Sequence, residues 1–272
     1  DLPISSSEVA NSIANPIIKA VSLTGSEQAG IAVATEAGKH LKKCVLELGG
    51  SNAFIILEDA NLDKAVAIAV NARMQNAGQS CIAAKRFLVH ENIVEEFVAK
   101  LKVAIQNLKT GNPFDKEMQI GSLARVDLAE ELEAQVQKSI QMGADLIVGG
   151  TRKEAFYEPT ILANVTTEMP VFNEETFGPV AAIITFKTIK EAIELSNQSE
   201  FGLGVSIFTQ DIDFIKTKIP SFNEGAFFIN DMVKSDPRLP FGGIKKSGYG
   251  RELAEDGIKE FVNVKTVVIN IL

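Results

Sequence analysis

Tryptophan is missing altogether, and tyrosine, histidine and cysteine each occur only twice in 272 residues. Two cysteines, Cys44 and Cys81, cannot build a disulfide framework, so a reducing cytoplasm is the expected setting. The two histidines, His40 and His90, stand far apart at no metal-ligand spacing, and no metal site is expected. Positive charge is in the minority: 27 Lys and Arg against 35 Asp and Glu leave a formal net charge of −8. Nucleic acids and anionic membranes both want a basic footprint, so neither is an expected partner. No apolar run approaches the ~20 residues of a membrane-spanning helix. The opening Asp1-Leu2-Pro3-Ile4-Ser5-Ser6-Ser7 has neither the basic flank nor the apolar core of a secretory signal. What remains is the balance of an ordinary globular chain, 46% hydrophobic and 23% charged. That composition excludes a disordered or collagenous protein.

Strand-like and helix-like segments alternate along the chain. Ser5 to Glu8 has capping-box spacing and predicts a helix to Ala14. Ala20 to Leu23 reads as a buried strand that breaks at Thr24-Gly25-Ser26 into a helix from Glu27 to His40. Val45 to Leu48 and Ala53 to Leu57 read as strands around a Gly49-Gly50 turn. Asn61 caps a helix whose face carries Leu62, Ala65, Val66, Ala69 and Val70 at helical spacing. Further strands are predicted at Arg86 to His90, Asp145 to Val148, Val180 to Phe186, Gly204 to Phe208 and Gly225 to Asn230. Helices are predicted between them at Ile93 to Leu108, Asp127 to Met142, Ile189 to Ser196 and Ile212 to Lys218. Such alternation of apolar strands with helices defines an α/β fold on a largely parallel sheet. Residues 231 to 250 form a long connection with little regular signal, and loops of that length are usually functional. The last segment, Phe261 to Leu272, is β-branched and apolar. Left open, such an edge invites aggregation, so it is expected to pair with a sheet edge, another subunit's included.

Four places offer chemistry. Cys81 follows a helix in the small, polar turn Gly78-Gln79-Ser80-Cys81, where glycine permits close approach and amides can face an anion. It suits a reactive thiol, although a structural turn cysteine fits the spacing too. Cys44, leading into an apolar strand, suits an inert one. Glu47 lies in Val45-Leu46-Glu47-Leu48-Gly49-Gly50, an acid inside an apolar strand. Unpaired there, its pKa would rise toward that of a general base; paired with Lys42 or Lys43, or turned to solvent, it would not. Glu174-Glu175-Thr176-Phe177-Gly178-Pro179 sets carboxylates beside an aromatic ring, which suits a sugar diol or merely a solvated charge pair. Leu23-Thr24-Gly25-Ser26 opens a helix and offers N–H groups to a phosphate, without a GxGxxG or Walker signature.

Taken in order, Val21-Ser22-Leu23-Thr24-Gly25-Ser26, Leu46-Glu47-Leu48-Gly49-Gly50, Gly78-Gln79-Ser80-Cys81, Glu175-Thr176-Phe177-Gly178-Pro179 and Pro240-Phe241-Gly242-Gly243-Ile244-Lys245-Lys246-Ser247-Gly248 resemble the motif series of the aldehyde dehydrogenase superfamily. Leu41-Lys42-Lys43, Ala84-Lys85-Arg86-Phe87 and Glu200-Phe201-Gly202-Leu203 resemble its succinate-semialdehyde dehydrogenase branch. The resemblance implies an NAD(P)-dependent oxidoreductase in which Cys81 attacks an aldehyde and Glu47 activates the water that hydrolyses the resulting thioester. It further implies that Gly25, Ser26, Leu48, Gly49, Glu175 and Phe177 contact NAD or NADP. Phe241, Ser235 and Arg238 would meet the substrate, with Arg73 a further cation for a substrate carboxylate. Gln75 stands where some succinate-semialdehyde enzymes carry arginine, and no second cysteine follows Cys81 at two residues. The resemblance assigns residues 1–47 and 248–261 to a partial Rossmann-type cofactor domain and 48–247 to a parallel-sheet catalytic domain. Residues 262–272 become an oligomerisation strand joining copies of the chain. Family members are longer, and the sequence is expected to start inside the cofactor domain. Two other readings stay open: an inactive catalytic-domain fragment serving as an assembly partner, and a cofactor-independent thiol esterase.

Overall fold

A computed structural model describes residues 4–271; the first three residues and Leu272, the last of the predicted C-terminal strand, lie outside the described residues. The chain divides into two compact units. One comprises residues 49–234 with 244–246, the other residues 1–48, 235–243 and 247–272.

The larger unit is built on a seven-stranded sheet. In spatial order its strands are Ala226–Ile229, Gly204–Phe208, Asn52–Ile56, Ala84–His90, Val180–Phe186, Thr160–Ala163 and Asp145–Val148. All neighbours run parallel except the last pair. Strands buried on both faces need apolar side chains at every position rather than at alternate ones. Phe54, Ile55, Ile56, Phe87, Leu88 and Val89 accordingly show no exposed surface. Phe54 stacks on Phe208 at 4.4 Å between ring centroids and tilts against Phe87 at 5.2 Å. The helix Leu62–Met74, capped by the Asn61 side chain, buries Ala65, Val66, Ala69 and Ala72. Helices Val94–Gln106 and Val126–Gln141 bury Phe97, Leu101 and Ile105 and Ala129, Leu132 and Val136, respectively. Arg86 is buried within this core. Its guanidinium donates to Ser51 O at 2.9 Å, Leu195 O at 2.7 Å and Ser196 O at 3.1 Å, and lies over the Phe172 ring.

In the smaller unit, Ala20–Thr24 and Lys43–Glu47 pair in parallel, and Gly248–Tyr249 joins the second antiparallel. Ser5 and Glu8 form the predicted capping box of the helix Ser6–Ala14. A Cβ on Gly248, whose φ is +106°, would lie 2.0 Å from Leu46 O, so only glycine lets this strand close on its neighbour.

Several short elements were not foreseen. They include the strand Thr160–Ala163, the pair Arg152–Lys153 with Phe156–Tyr157, the pair Phe201–Gly202 with Ile244–Lys245, the strand Gly248–Tyr249 and the short helices Pro170–Asn173 and Ala254–Lys259. The expected helix to Lys218 ends at Lys216 and gives way to a 3₁₀ turn, Ile219–Ser221, that contains Pro220. Within this chain residues 262–271 belong to no strand or helix, and Val264 and Ile271 are more than nine-tenths exposed. A strand exists only by pairing its backbone with a neighbour.

Candidate active site

The larger unit places Cys81 at the end of an unusual turn. Asn76, Ala77 and Gly78 succeed one another with φ of 53°, 53° and 75°, all in the left-handed region. That region is costly for a residue with a side chain, by roughly 1–2 kcal/mol. Hydrogen bonds hold it. Asn76 Nδ2 donates to Gln79 O at 2.9 Å, Gln79 Nε2 to Asn76 O at 3.2 Å, and Gln79 Oε1 accepts from Ala124 N at 2.8 Å. At Gly78 a Cβ would lie 2.3 Å from Gly178 O, so the glycine is obligatory. Cys81 is half-buried, and neither cysteine is in a disulfide.

Behind this turn, in the same unit, lies a buried ion pair. Lys85 opens the strand Ala84–His90 and its side chain is wholly inaccessible. Its ammonium donates to Ser80 O at 3.0 Å, Cys81 O at 3.1 Å and Glu175 Oε1 at 3.0 Å. Burial lowers the Lys85 pKa to about 8, with the Glu175 carboxylate pulling the other way. Glu175 Oε1 also accepts from Gly50 N at 3.0 Å. A Cβ on Gly49 would strike Glu175 Oε2 at 2.3 Å, and one on Gly50 would strike Cys81 O at 2.6 Å. Gly49-Gly50 is therefore the floor on which both the carboxylate and the cysteine backbone rest.

Arg73 is not a surface cation. It is 1% exposed, and Nη2 donates to Gly78 O at 2.6 Å and Thr176 O at 3.4 Å. It braces the turn from beneath through Nη2, while its Nε and Nη1 have no hydrogen-bond partner among the described residues. Burial lowers its pKa and the nearby Glu175 opposes that shift. Phe177 stands exposed on the same segment.

In the smaller unit, Glu47 ends its strand with its main-chain oxygen accepting from Gly25 N at 3.0 Å. Its carboxyl is 5% exposed, and neither oxygen has a hydrogen-bond partner. The lysines that could have neutralised it are engaged elsewhere. Lys42 donates to Ile13 O and Asn15 O, and Lys43 to Glu260 O and Val262 O. Burial raises the Glu47 pKa to about 7; the Glu252 carboxylate adds to the rise and the Arg251 guanidinium opposes it.

Ser26 caps the 13-residue helix Glu27–Lys39, its Oγ accepting from Ala29 N at 3.3 Å, with Gly25 just before it. Leu48 is buried, its side chain against Gly30, and its N–H donates to Ser247 O at 3.0 Å. Cys44 is partly buried and its thiol pKa is raised by burial, the Tyr249 side chain opposing, which suits an inert thiol.

The long connection is ordered by backbone pairing. Phe241 and Glu252 exchange two hydrogen bonds of 2.8 Å, and Phe241 is buried. Ser235 is exposed. Arg238 is exposed too, but its guanidinium grips Asp236 at 2.9 and 2.6 Å. A substrate carboxylate would have to compete with that aspartate.

Lys85, Arg251 and Glu252 are the residues that sequence reasoning overlooked. Only Lys85 carried a signal: a lysine four residues after the cysteine, beside Arg86 at the start of a strand whose next residues are apolar, has to be paired. Among the described residues, no group of three or more His, Cys, Asp or Glu could hold a metal ion, and no helix is long and apolar enough to cross a membrane.

The largely parallel sheet agrees with the family to which sequence comparison leads. The aldehyde dehydrogenase family matches residues 2–267, and the chain belongs to it. It is 49% identical over 262 residues to the NAD(P)+ succinate semialdehyde dehydrogenase Sad of Escherichia coli, covering 95% of this chain and 57% of that protein. A probable NADP+ succinate-semialdehyde dehydrogenase of Synechocystis is 50% identical over 260 residues, 94% of this chain and 57% of its own length. The crystal structure of succinic semialdehyde dehydrogenase from Streptococcus pyogenes with NADP+ superposes with a TM-score of 0.95 at 40% identity, over 98% of this chain and 60% of that one. The chain thus spans a little under three-fifths of the length of the curated relatives named here.

Proposed function

We propose that this chain carries the chemical steps of an NAD(P)-dependent oxidation of an aldehyde to its acid, with succinate semialdehyde as substrate. The observation that carries this reading is Glu47: a buried carboxyl with no hydrogen-bond partner and a pKa near neutrality. A general base works best when its pKa lies near the operating pH. Cys81 is the nucleophile, adding through Sγ to the aldehyde carbon to give a thiohemiacetal whose oxyanion its own backbone N–H helps stabilise. A dinucleotide, when bound, would supply the hydride acceptor that takes this adduct to a thioester on Cys81. Glu47 then takes a proton from the water that attacks the thioester carbon, releasing the acid and restoring the thiol.

The residues suit a dinucleotide. Glu175 keeps a carboxylate at the Gly49-Gly50 floor, partly open to solvent, for the ribose hydroxyls. Ser26 and Gly25 stand at a helix start suited to phosphate, and Phe177 offers an exposed ring. Substrate choice is supported by the names of the relatives, with Ser235 and Arg238 as partners for the far carboxylate. The exposed apolar tail, residues 262–271, supports association with a second copy, and a thiol nucleophile suits a cytoplasmic setting.

The test uses an activated ester and the aldehyde in parallel. With Glu47→Gln, an acyl group should accumulate on Cys81, read by peptide mass spectrometry, and Cys81→Ser should carry none. Reduced cofactor formed from succinate semialdehyde supports the full reading. Ester cleavage alone supports the esterase, and neither activity supports the assembly fragment.

A further inference from the structure

We propose that Lys85 is a positioning residue that ties the nucleophile turn to the carboxylate of the ribose site. The inference rests on the reading of Cys81 as nucleophile and Glu175 as the ribose carboxylate. It comes from one juxtaposition: a single buried ammonium whose three donors reach Ser80 O, Cys81 O and Glu175 Oε1, all within 3.1 Å.

An ammonium has three protons to donate, and here all three have acceptors. Two go to successive carbonyls of the turn, which orients the Ser80–Cys81 and Cys81–Ile82 peptide planes and thereby aims the Cys81 side chain. The third fixes Glu175, whose same oxygen accepts from Gly50 N. The turn needs such a brace because three consecutive left-handed residues precede it. Arg73 braces the far side through Gly78 O and Thr176 O. The two cations thus hold opposite ends of one short loop against the segment that carries Glu175 and Thr176. The Lys85 ammonium also interacts electrostatically with Cys81, and a cation beside a thiol favours its thiolate. A ligand that draws Glu175 toward itself changes the partner of the ammonium that orients Cys81. Occupancy of the ribose site is in this way transmitted to the nucleophile through one side chain.

The experiment compares wild type with Lys85→Met, Lys85→Gln and Lys85→Arg by iodoacetamide labelling of Cys81 and Cys44 at pH 7, read by peptide mass spectrometry. Hydrogen exchange over residues 76–81 is measured in parallel. Met and Gln should slow Cys81 labelling on the order of tenfold, the effect of about one unit of thiol pKa. Arg should restore most of the rate, Cys44 labelling in the smaller unit should stay constant, and unchanged hydrogen exchange over the strand Asn52–Ile56 certifies the fold of the larger unit. Gln keeps donors in place and serves if Met fails to fold. Wild-type labelling rates in both neutral variants, or no rescue by Arg, would overturn the proposal. If wild-type Cys81 labels no faster than Cys44, the nucleophile reading fails by itself. Exchange then decides on Lys85: faster exchange in the neutral variants supports the brace, and unchanged exchange refutes it.

Discussion

Replacing Glu47 with glutamine should make the protein more stable above neutral pH while removing the proposed base. The carboxyl is buried without a hydrogen bond, and its pKa stands near 7 instead of the ordinary 4.5. A carboxyl whose folded pKa is raised binds its proton more tightly when folded. Between the two values the folded state therefore holds more protons than the unfolded one, and stability falls as pH rises. The loss begins near pH 4.5 and is complete above pH 7. At ~1.4 kcal/mol per unit the shift corresponds to about 3 kcal/mol, and access of water to the carboxylate reduces this to about 2 kcal/mol. Glutamine has the same shape and never ionises. Urea unfolding of both proteins at pH 5 and pH 8 isolates the term, because all other titrations cancel in the difference. Glu47→Gln should gain about 2 kcal/mol on wild type in going from pH 5 to pH 8. An unchanged difference between the two pH values would refute the claim that this carboxyl is unpaired and desolvated.

The neighbours of Glu47 supply a second prediction. Glu252→Gln removes a like charge and should move the Glu47 titration to lower pH, whereas Arg251→Met should move it higher, both read by carbon NMR of the carboxyl. The Cys81 turn supplies a third: Gly78→Ala adds a methyl into Gly178 O at a left-handed φ and should destabilise by more than ~2 kcal/mol in thermal unfolding. Ala77→Gly in the same turn exchanges roughly 1–2 kcal/mol of left-handed strain against backbone entropy and a lost methyl of similar size, so its melting temperature should scarcely change.

Periodicity made the scaffold legible wherever burial and propensity agree. Asp145–Val148, Val180–Phe186 and Gly204–Phe208 carry the bounds expected from their apolar runs. Thr160–Ala163 escaped notice because four residues after a proline give no period, and its place is set by pairing with strands on either side. The residues proposed for the chemistry followed the same division. Cys81 and Glu47 announced themselves by sitting in local surroundings that contradict their chemistry, a thiol in a glycine turn and an acid in an apolar strand. Lys85 could be seen as anomalous but not assigned, since its partner Glu175 lies 90 positions on and only the fold brings it near. The structural part of Arg73 was hidden for a similar reason: Thr176, whose carbonyl it supports, lies 103 positions on.

The strand order has a consequence for how the molecule comes into being. Asn52–Ile56 lies in the middle of the sheet, yet one of its two neighbours is Gly204–Phe208, and Asn52 and Gly204 are 152 residues apart in sequence. During synthesis the early strand must wait, with the backbone N–H and C=O groups of one edge unpaired, until Gly204–Phe208 has been made. Pairings of such long separation fold slowly, because the loop must be closed before any contact rewards it. A growing chain halted before residue 204 would expose the edge of Asn52–Ile56, and a chaperone that masks sheet edges should be found on such stalled intermediates rather than on the finished protein.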